Sequence, residues 1–272
     1  MVSLLCPVRG CRSPLVRSER AFGCARGHGF DLARSGYVNL LQPQDRRSAT
    51  PGDRPEAVAA RRRFLARGHA APLIAALSEL CPASGAAVLD VGCGEGTFLR
   101  ALGAGRNLEL HGLDLSVAAL VAAARAQPEA CFVAANADRF LPYADASFDL
   151  VLSITARLHP AEMARVMKPA GRLVIVVPGP DDLVELRQAV LGRGLERERW
   201  PRIAAELAGR FSAGERRRVR HRAQFASEDI ALALAATYRA ARPAEHERAL
   251  ALAALAVTMS WDVGVFSLSP PA

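Results

Sequence analysis

The sequence predicts an α/β protein: a mostly parallel, doubly wound sheet with a small metal-binding module at its N-terminus. Three observations predict it. From Ala86 to about residue 177, short apolar runs alternate with stretches of helical length, the pattern of a parallel sheet covered by helices on both faces. The first run ends in a turn with glycines at alternate positions, Gly92, Gly94 and Gly96, which lets backbone approach a ligand closely. Three of the six cysteines, Cys6, Cys11 and Cys24, fall in the first 30 residues with His28 close behind, a donor set suited to a metal rather than to a disulfide framework.

A chain of 272 residues holds one full α/β domain plus a small module and needs no disulfide staples for its core. Every long apolar run is broken by Arg, Asp or Gly before membrane-span length, so no transmembrane helix and no membrane partner are expected. Residues 1–6 are too short for a signal-peptide core. The expectation is a cytoplasmic protein. Cys81, Cys93 and Cys131 lie scattered in apolar context, as buried free thiols in a reducing compartment would. The net charge of +8 is carried almost wholly by arginine, Lys168 being the one lysine. Such an excess of cations favours a polyanionic partner.

Taken in order, residues 1–41 form the metal module, which has no sustained helical period and is too small for a core of its own. Residues 42–85 are linker and helices. The linker carries Pro43, Pro51, Gly52 and Pro55 and reads as an exposed loop; helices follow over 56–68 and 71–80. Residues 86–272 form the main domain. Its strands are 87–91, 108–113, 131–135, 148–154 and 172–177, and its helices 97–102, 116–125, 160–166 and 181–191. Residues 193–222 hold ten Arg against four Glu and read as a basic surface or, at Arg216–Arg218, as a solvated strand end. Ser227 caps a helix over 228–241, Arg242-Pro243 breaks it, another helix spans 244–254, and residues 257–268 alternate as a final strand.

The glycine turn reads Asp90-Val-Gly92-Cys93-Gly94-Glu95-Gly96. A dinucleotide site uses the spacing G-x-G-x-x-G and places pyrophosphate on a helix N-terminus. Here the glycines alternate and an acid precedes them, which suits a ligand carrying an ammonium and a sulfonium. The second strand ends at Asp114-Leu115, where a carboxylate can accept from both ribose hydroxyls. The third ends at Asn136-Ala137-Asp138, where an amide can read an adenine edge. Taken singly, Asp114 would serve as a helix cap and Asn136 as a turn residue; the ordered set carries the reading.

Cys6-x4-Cys11 and Cys24-x3-His28, twelve residues apart, supply three sulfurs and one imidazole. Structural zinc takes such a set tetrahedrally, and its binding free energy becomes folding free energy.

The cofactor signature resembles the class I S-adenosylmethionine-dependent methyltransferases, which implies a Rossmann-like, mostly parallel seven-stranded sheet. More specifically, Gly29-Phe-Asp-Leu-Ala-Arg-Ser-Gly-Tyr-Val-Asn-Leu-Leu41, then Arg47-Ser, Pro51-Gly-Asp53, Ala60-Arg-Arg-Arg-Phe-Leu65, Gly68-His69, Glu162-x-x-Arg-Val-x-Lys-Pro169 and Pro178-Gly-Pro180, is similar to the bacterial 23S rRNA guanine-N1 methyltransferases. The similarity spans nearly the whole chain and weakens after about residue 192. It implies structural Zn2+ on Cys6, Cys11, Cys24 and His28, S-adenosylmethionine at Glu95 and Gly96, a 23S rRNA hairpin as partner, pairing as a homodimer, and a housekeeping or macrolide-resistance role.

This chain departs from the family at Ala70, where relatives carry an aromatic, at Thr155-Ala156-Arg157 in place of Ala-Pro, and at Asp181-Asp182, where a relative carries basic or imidazole groups. These positions flank the expected base pocket. Guanine N1 carries a proton near neutral pH, so a base should assist. Asp138, Asp181 and Asp182 are candidates, with Arg157 beside them. Phe140, Tyr143 or Arg157 would supply the platform for an unstacked base. Arginines near 61–67 and 197–222 would grip RNA. Two alternatives stay open: methyl transfer to a small natural product on the same scaffold, and a cofactor- or RNA-binding relative without catalysis.

Overall fold

The apolar runs assemble around one large sheet. The computed structural model describes residues 2–45, 52–237 and 243–270. Strands β1 (Leu15–Arg17), β2 (Ala21–Cys24) and β3 (Gly29–Asp31) pair antiparallel as a small sheet. The large sheet contains β4 (Tyr37–Asn39), β5 (Ala87–Val91), β6 (Glu109–Asp114), β7 (Cys131–Ala134), β8 (Phe148–Ile154), β9 (Met167–Pro178), β10 (Phe211–Ala226) and β11 (Ala254–Leu268). Its order is β10-β11-β9-β8-β5-β6-β7-β4. Neighbours from β4 to β9 are parallel, and β11 runs antiparallel to both β9 and β10.

Helices α1 (Pro55–Ala66), α2 (Ala71–Leu80), α3 (Thr97–Gly103), α4 (Val117–Ala126), α5 (Pro160–Val166), α6 (Val184–Leu191), α7 (Trp200–Leu207), α8 (Ser227–Thr237) and α9 (Pro243–Leu250) complete the element order. All five residues of β5 are buried, Asp90 included, because a central parallel strand is covered on both faces. Two apolar clusters result. One gathers Leu73, Leu99, Leu120, Phe132, Phe225 and Ile230; the other gathers Leu4, Leu15, Tyr143, Phe148, Met163 and Phe266. Each such side chain stabilises the fold by about 1.5–3 kcal/mol through burial. Ser116 caps α4 by accepting the Ala119 N–H at 3.3 Å.

Seven strands were expected in the large sheet, and β4 adds an eighth at the edge beside β7. It comes from the segment read as metal module, so that module runs directly into the main sheet. α7 had no counterpart in the sequence pattern, and β10 had only the solvated strand end read at Arg216–Arg218. Arginine occupies successive positions along β10, so apolar alternation is confined to its last residues, Val219, Ala223 and Phe225. The fifth strand is longer than expected and runs back to Met167. Arg47-Ser48, Pro51, Arg242 and the end of the predicted 228–241 helix lie outside the described residues.

β5 sits between β6 and β8. The chain winds from β5 through α3 to β6 on one side, while β8 lies on the other. This switch point opens a crevice at the C-terminal strand ends. Among the described residues, no helix is long and apolar enough to cross a membrane.

Candidate active site and metal centre

Two knuckles bring the four metal-ligand candidates together. In the first, Cys11 donates its N–H to Val8 O at 2.9 Å and Cys6 donates to Ser13 O at 2.9 Å. In the second, Cys24 and His28 close a loop through Cys24 N–H to His28 O at 3.0 Å, turned by Gly27 at φ 80°. The donor atoms of Cys6, Cys11, Cys24 and His28 all lie within 4.8 Å of one another.

Cys11 Sγ lies 3.8 Å from Cys24 Sγ, and His28 Nδ1 lies 3.4 Å from the sulfurs of Cys6 and Cys24. Zinc at about 2.3 Å from sulfur and about 2.0 Å from nitrogen needs tetrahedral edges of about 3.8 Å and about 3.5 Å. The donor set fits that ion in chemistry and size. Burial pushes the Cys6 thiol up to about 12, whereas the Ser13 hydroxyl and backbone pull Cys11 down to about 6; a bound dication would favour thiolate at both.

The crevice at the strand ends is a cleft of about 340 Å³ lined by Gly52, Val91, Gly92, Leu113, Asp114, Leu115, Ala135, Asn136, Ala137, Asp138, Ala156, Arg157 and His159. It unites cofactor candidates from three strand tips. Gly92, Gly94 and Gly96 all adopt the left-handed region, at φ 81°, 56° and 76°. A Cβ on Gly92 would lie 2.5 Å from Ala156 Cβ, so the turn requires glycine there for both reasons.

Asp114 accepts Gly94 N–H at 2.8 Å and Ser116 N–H at 2.7 Å, which ties the second strand tip to the glycine loop. Burial raises its carboxyl above the usual range. Asp90 is 1% exposed, and among the described residues its Oδ1 has no hydrogen-bond partner. Burial, with Asp114 and Glu95 nearby, pushes Asp90 up to about 8. A run of carboxylates around a tight glycine turn, one with an orphaned oxygen, fits a cationic cofactor such as S-adenosylmethionine and repels a pyrophosphate. Cys93 and Glu95 are buried behind the turn.

Arg61 of α1 reaches over this loop. It donates to Glu95 Oε2 at 2.7 Å and Asp53 Oδ2 at 2.9 Å, and a Cβ on Gly94 would meet its guanidinium at 2.6 Å. The sequence marked Arg61 among the arginines near 61–67 expected to grip RNA, not as a partner of the glycine loop.

Asp138 and Arg157 meet at the cleft mouth, 3.1 Å apart. His159, which the sequence reading did not single out, stands beside them with Nδ1 3.6 Å from Asp138 Oδ1. A lone histidine two residues after Arg157 carries no motif, so its position becomes visible only in the fold. Asp181 and Asp182 do not line the cleft. Asp182 accepts Ser260 N–H of β11 at 3.0 Å, and Asp181 pairs with Arg220 of β10 at 2.6 Å.

Tyr143 is fully buried against His111 and Phe148 and cannot present a face to a base. Phe140 is flanked by the guanidiniums of Arg12 and Arg165 at 4.6 and 5.1 Å. Arg157 is 77% exposed. Of the three platform candidates, only Arg157 stands at the cleft.

Arginines 216, 218, 220 and 222 share one face of β10. They pair with Glu198, Asp262, Asp181 and Glu185. Within the basic run of the sequence, the arginines of β10 are thus paired with acids.

Two family models match the chain: one described as "RlmA, N-terminal", a zinc ribbon, over residues 4–49, and one described as "Methyltransferase domain" over residues 88–174. The "23S rRNA (guanine(748)-N(1))-methyltransferase" of Streptomyces fradiae is 37% identical over 80% of this chain and 78% of its own length. A protein of Micromonospora griseorubida, provisionally named a 23S rRNA (guanine-N(1)-)-methyltransferase, is 34% identical over 84% and 83%. Among solved structures, the [4+2]-cyclase SpnF superposes with a TM-score of 0.51 at 19% identity, covering 72% of this chain and 80% of that one; at that identity the likeness shows the fold alone.

Proposed function

The chain belongs to the 23S rRNA (guanine-N1)-methyltransferase family, and from that premise we propose that it moves a methyl group from S-adenosylmethionine to N1 of one guanine in a 23S rRNA hairpin. The observation that carries the proposal is the joining, in one chain, of a four-ligand zinc ribbon and a carboxylate-lined glycine cleft, with β4 running from the ribbon into the sheet. S-adenosylmethionine supplies an already activated methyl group. The protein's part is positioning and proton removal.

Within the proposal, Asp114 holds the ribose, Asn136 and Ala137 border the adenine, and Asp90, Gly92, Cys93, Gly94, Glu95, Gly96 and Leu115 form the cofactor bed. The ribbon, with exposed Arg9, Arg20 and Arg26, contacts the RNA backbone. The finer proposal takes the target as the guanine named for the Streptomyces fradiae relative, position 748, with macrolide protection as the consequence. Pairing as a homodimer is carried with it and is tested by sedimentation.

The neutralised arginines of β10 favour a second reading, methyl transfer to a small-molecule acceptor, because they leave less free positive surface for RNA. One assay separates the two. Purified protein is incubated with radiolabelled S-adenosylmethionine and unmodified 23S rRNA or the isolated hairpin, and label is mapped by primer extension. A stop at one guanine is expected, since N1 methylation blocks pairing. No label in RNA, with cofactor binding intact by calorimetry, would sink the RNA reading.

A further inference from the structure

We propose that His159, oriented by Asp138, accepts the N1 proton of the guanine as the methyl group transfers; this inference rests on the guanine-N1 reading above. The backbone is built to hold it there. Thr155, which follows β8, has φ 54°, a left-handed conformation that is costly for a β-branched residue. Its N–H is fixed to Val176 O at 2.8 Å. The bend folds the next residues back over the glycine turn, where Ala156 fills the space a Gly92 side chain would need. Pro160 opens α5 and restricts His159 to a non-helical backbone, observed at φ −137° and ψ 69°. Strain at one end and proline at the other set His159 on the wall of the cleft that Gly92, Asp114 and Asn136 also line.

The ring nitrogens divide the work. Nδ1 faces Asp138, so the carboxylate favours the tautomer with its proton on Nδ1 and the lone pair on Nε2. The present 3.6 Å separation is one that substrate binding would tighten. The charged groups around the ring are Asp138 from the loop after β7, Arg157 on its own loop, Glu162 of α5 and Glu206 of α7. Burial and Arg157 lower the imidazole from its ordinary value, against Asp138, Glu206 and Glu162, which raise it. The ring is therefore neutral, and able to accept a proton, at neutral pH. Asp138 itself is half exposed and engaged by Arg157, which makes it the poorer base. In the step proposed, Nε2 takes the proton from N1 and the N1 electron pair forms the bond to the methyl carbon. The carbon–sulfur pair stays on sulfur, and the imidazolium later yields its proton to solvent.

The test compares wild type, His159→Ala, His159→Gln and Asp138→Asn on the RNA hairpin across pH, with the dissociation constant for S-adenosylmethionine measured in parallel as the check on folding. His159→Ala and His159→Gln are expected to lose about 10²- to 10⁴-fold in turnover at saturating S-adenosylmethionine, and Asp138→Asn to lose less. The wild-type rate should rise with pH and level off above the imidazole pKa. The His159→Ala rate should keep rising as guanine N1 ionises unaided. If wild type labels the hairpin and both His159 variants stay within about threefold of it with the same pH profile, this inference fails alone. If wild type labels no RNA, the guanine-N1 reading fails and the inference falls with it.

Discussion

The zinc ribbon and the candidate cofactor cleft are built on opposite principles. The ribbon draws four ligands from a span of 23 residues, Cys6 to His28. Its strands are three or four residues long, too short to hold a fold without a metal. The cleft draws its lining from Gly52 and from strand tips and loops spread between Val91 and His159, and two apolar clusters hold those tips whether or not a ligand is present. The ribbon thus depends on its ligand to exist, whereas the cleft depends on the sheet. Leu4, Cys6 and Leu15 nonetheless enter the second core with Tyr143 and Phe148, so damage to the ribbon reaches the sheet.

The largest effect should follow from breaking the ribbon. Cys24→Ser, or a strong chelator, is expected to remove one zinc per chain and unfold residues 4–31, since structural zinc contributes about 10–16 kcal/mol of apparent binding free energy in small metal-folded peptides. Metal analysis and thermal melting check this, and hairpin methylation should be abolished while S-adenosylmethionine still binds. Retention of the wild-type melting temperature after complete zinc removal would show that docking alone holds the ribbon.

Gly92→Ala attacks the cleft instead. The new Cβ meets Ala156 at 2.5 Å and the residue keeps a φ of 81°. A loss of about 1–3 kcal/mol in urea unfolding is expected, together with lost cofactor binding. Asp114→Ala should act more narrowly. It removes the acceptor of Gly94 and Ser116 N–H groups and the expected ribose partner, costing about 1.5–3 kcal/mol of cofactor affinity, or roughly 10- to 100-fold, by calorimetry.

The same contrast explains what could be read from the sequence. Cys6, Cys11, Cys24 and His28 were legible because a metal site written within one short segment has a fixed spacing. Gly92, Gly94, Gly96 and Asp114 could be proposed together because a strand-turn-helix with a following acid is a local signal repeated in chain order. Most of β10 was not legible, since consecutive arginines carry no apolar period. Their neutralisation by Glu198, Asp181, Glu185 and Asp262 requires four separate segments to meet. Tyr143 looked available as a platform because sequence cannot tell a buried tyrosine from a presented one. His159 was missed for the converse reason: what gives it meaning is the Thr155 bend and the tip of the neighbouring strand, neither of which is written beside it.

Asp182 offers the smallest test, and it bears on where the cleft ends. Burial pushes its carboxyl up to about 6, opposed by the Ser260 N–H, Arg187 and Arg199, while Asp181 adds to the rise. A carboxyl raised above its unfolded value of about 3.9 adds nothing unfavourable below that pH. As pH climbs from about 4 to about 6, the unfolded chain gives up the proton first, and stability is lost until the folded carboxyl ionises too. Asp182→Asn keeps an oxygen for Ser260 N–H but cannot ionise. The variant should therefore match wild type near pH 4 and exceed it by about 2–3 kcal/mol above pH 6, read from urea unfolding at the two pH values. That result would mark Asp182 as a buried support of the β9–β11 junction. A variant that loses methylation with no change in the stability profile would return Asp182 to the candidates for proton transfer and move the edge of the acceptor site past β9.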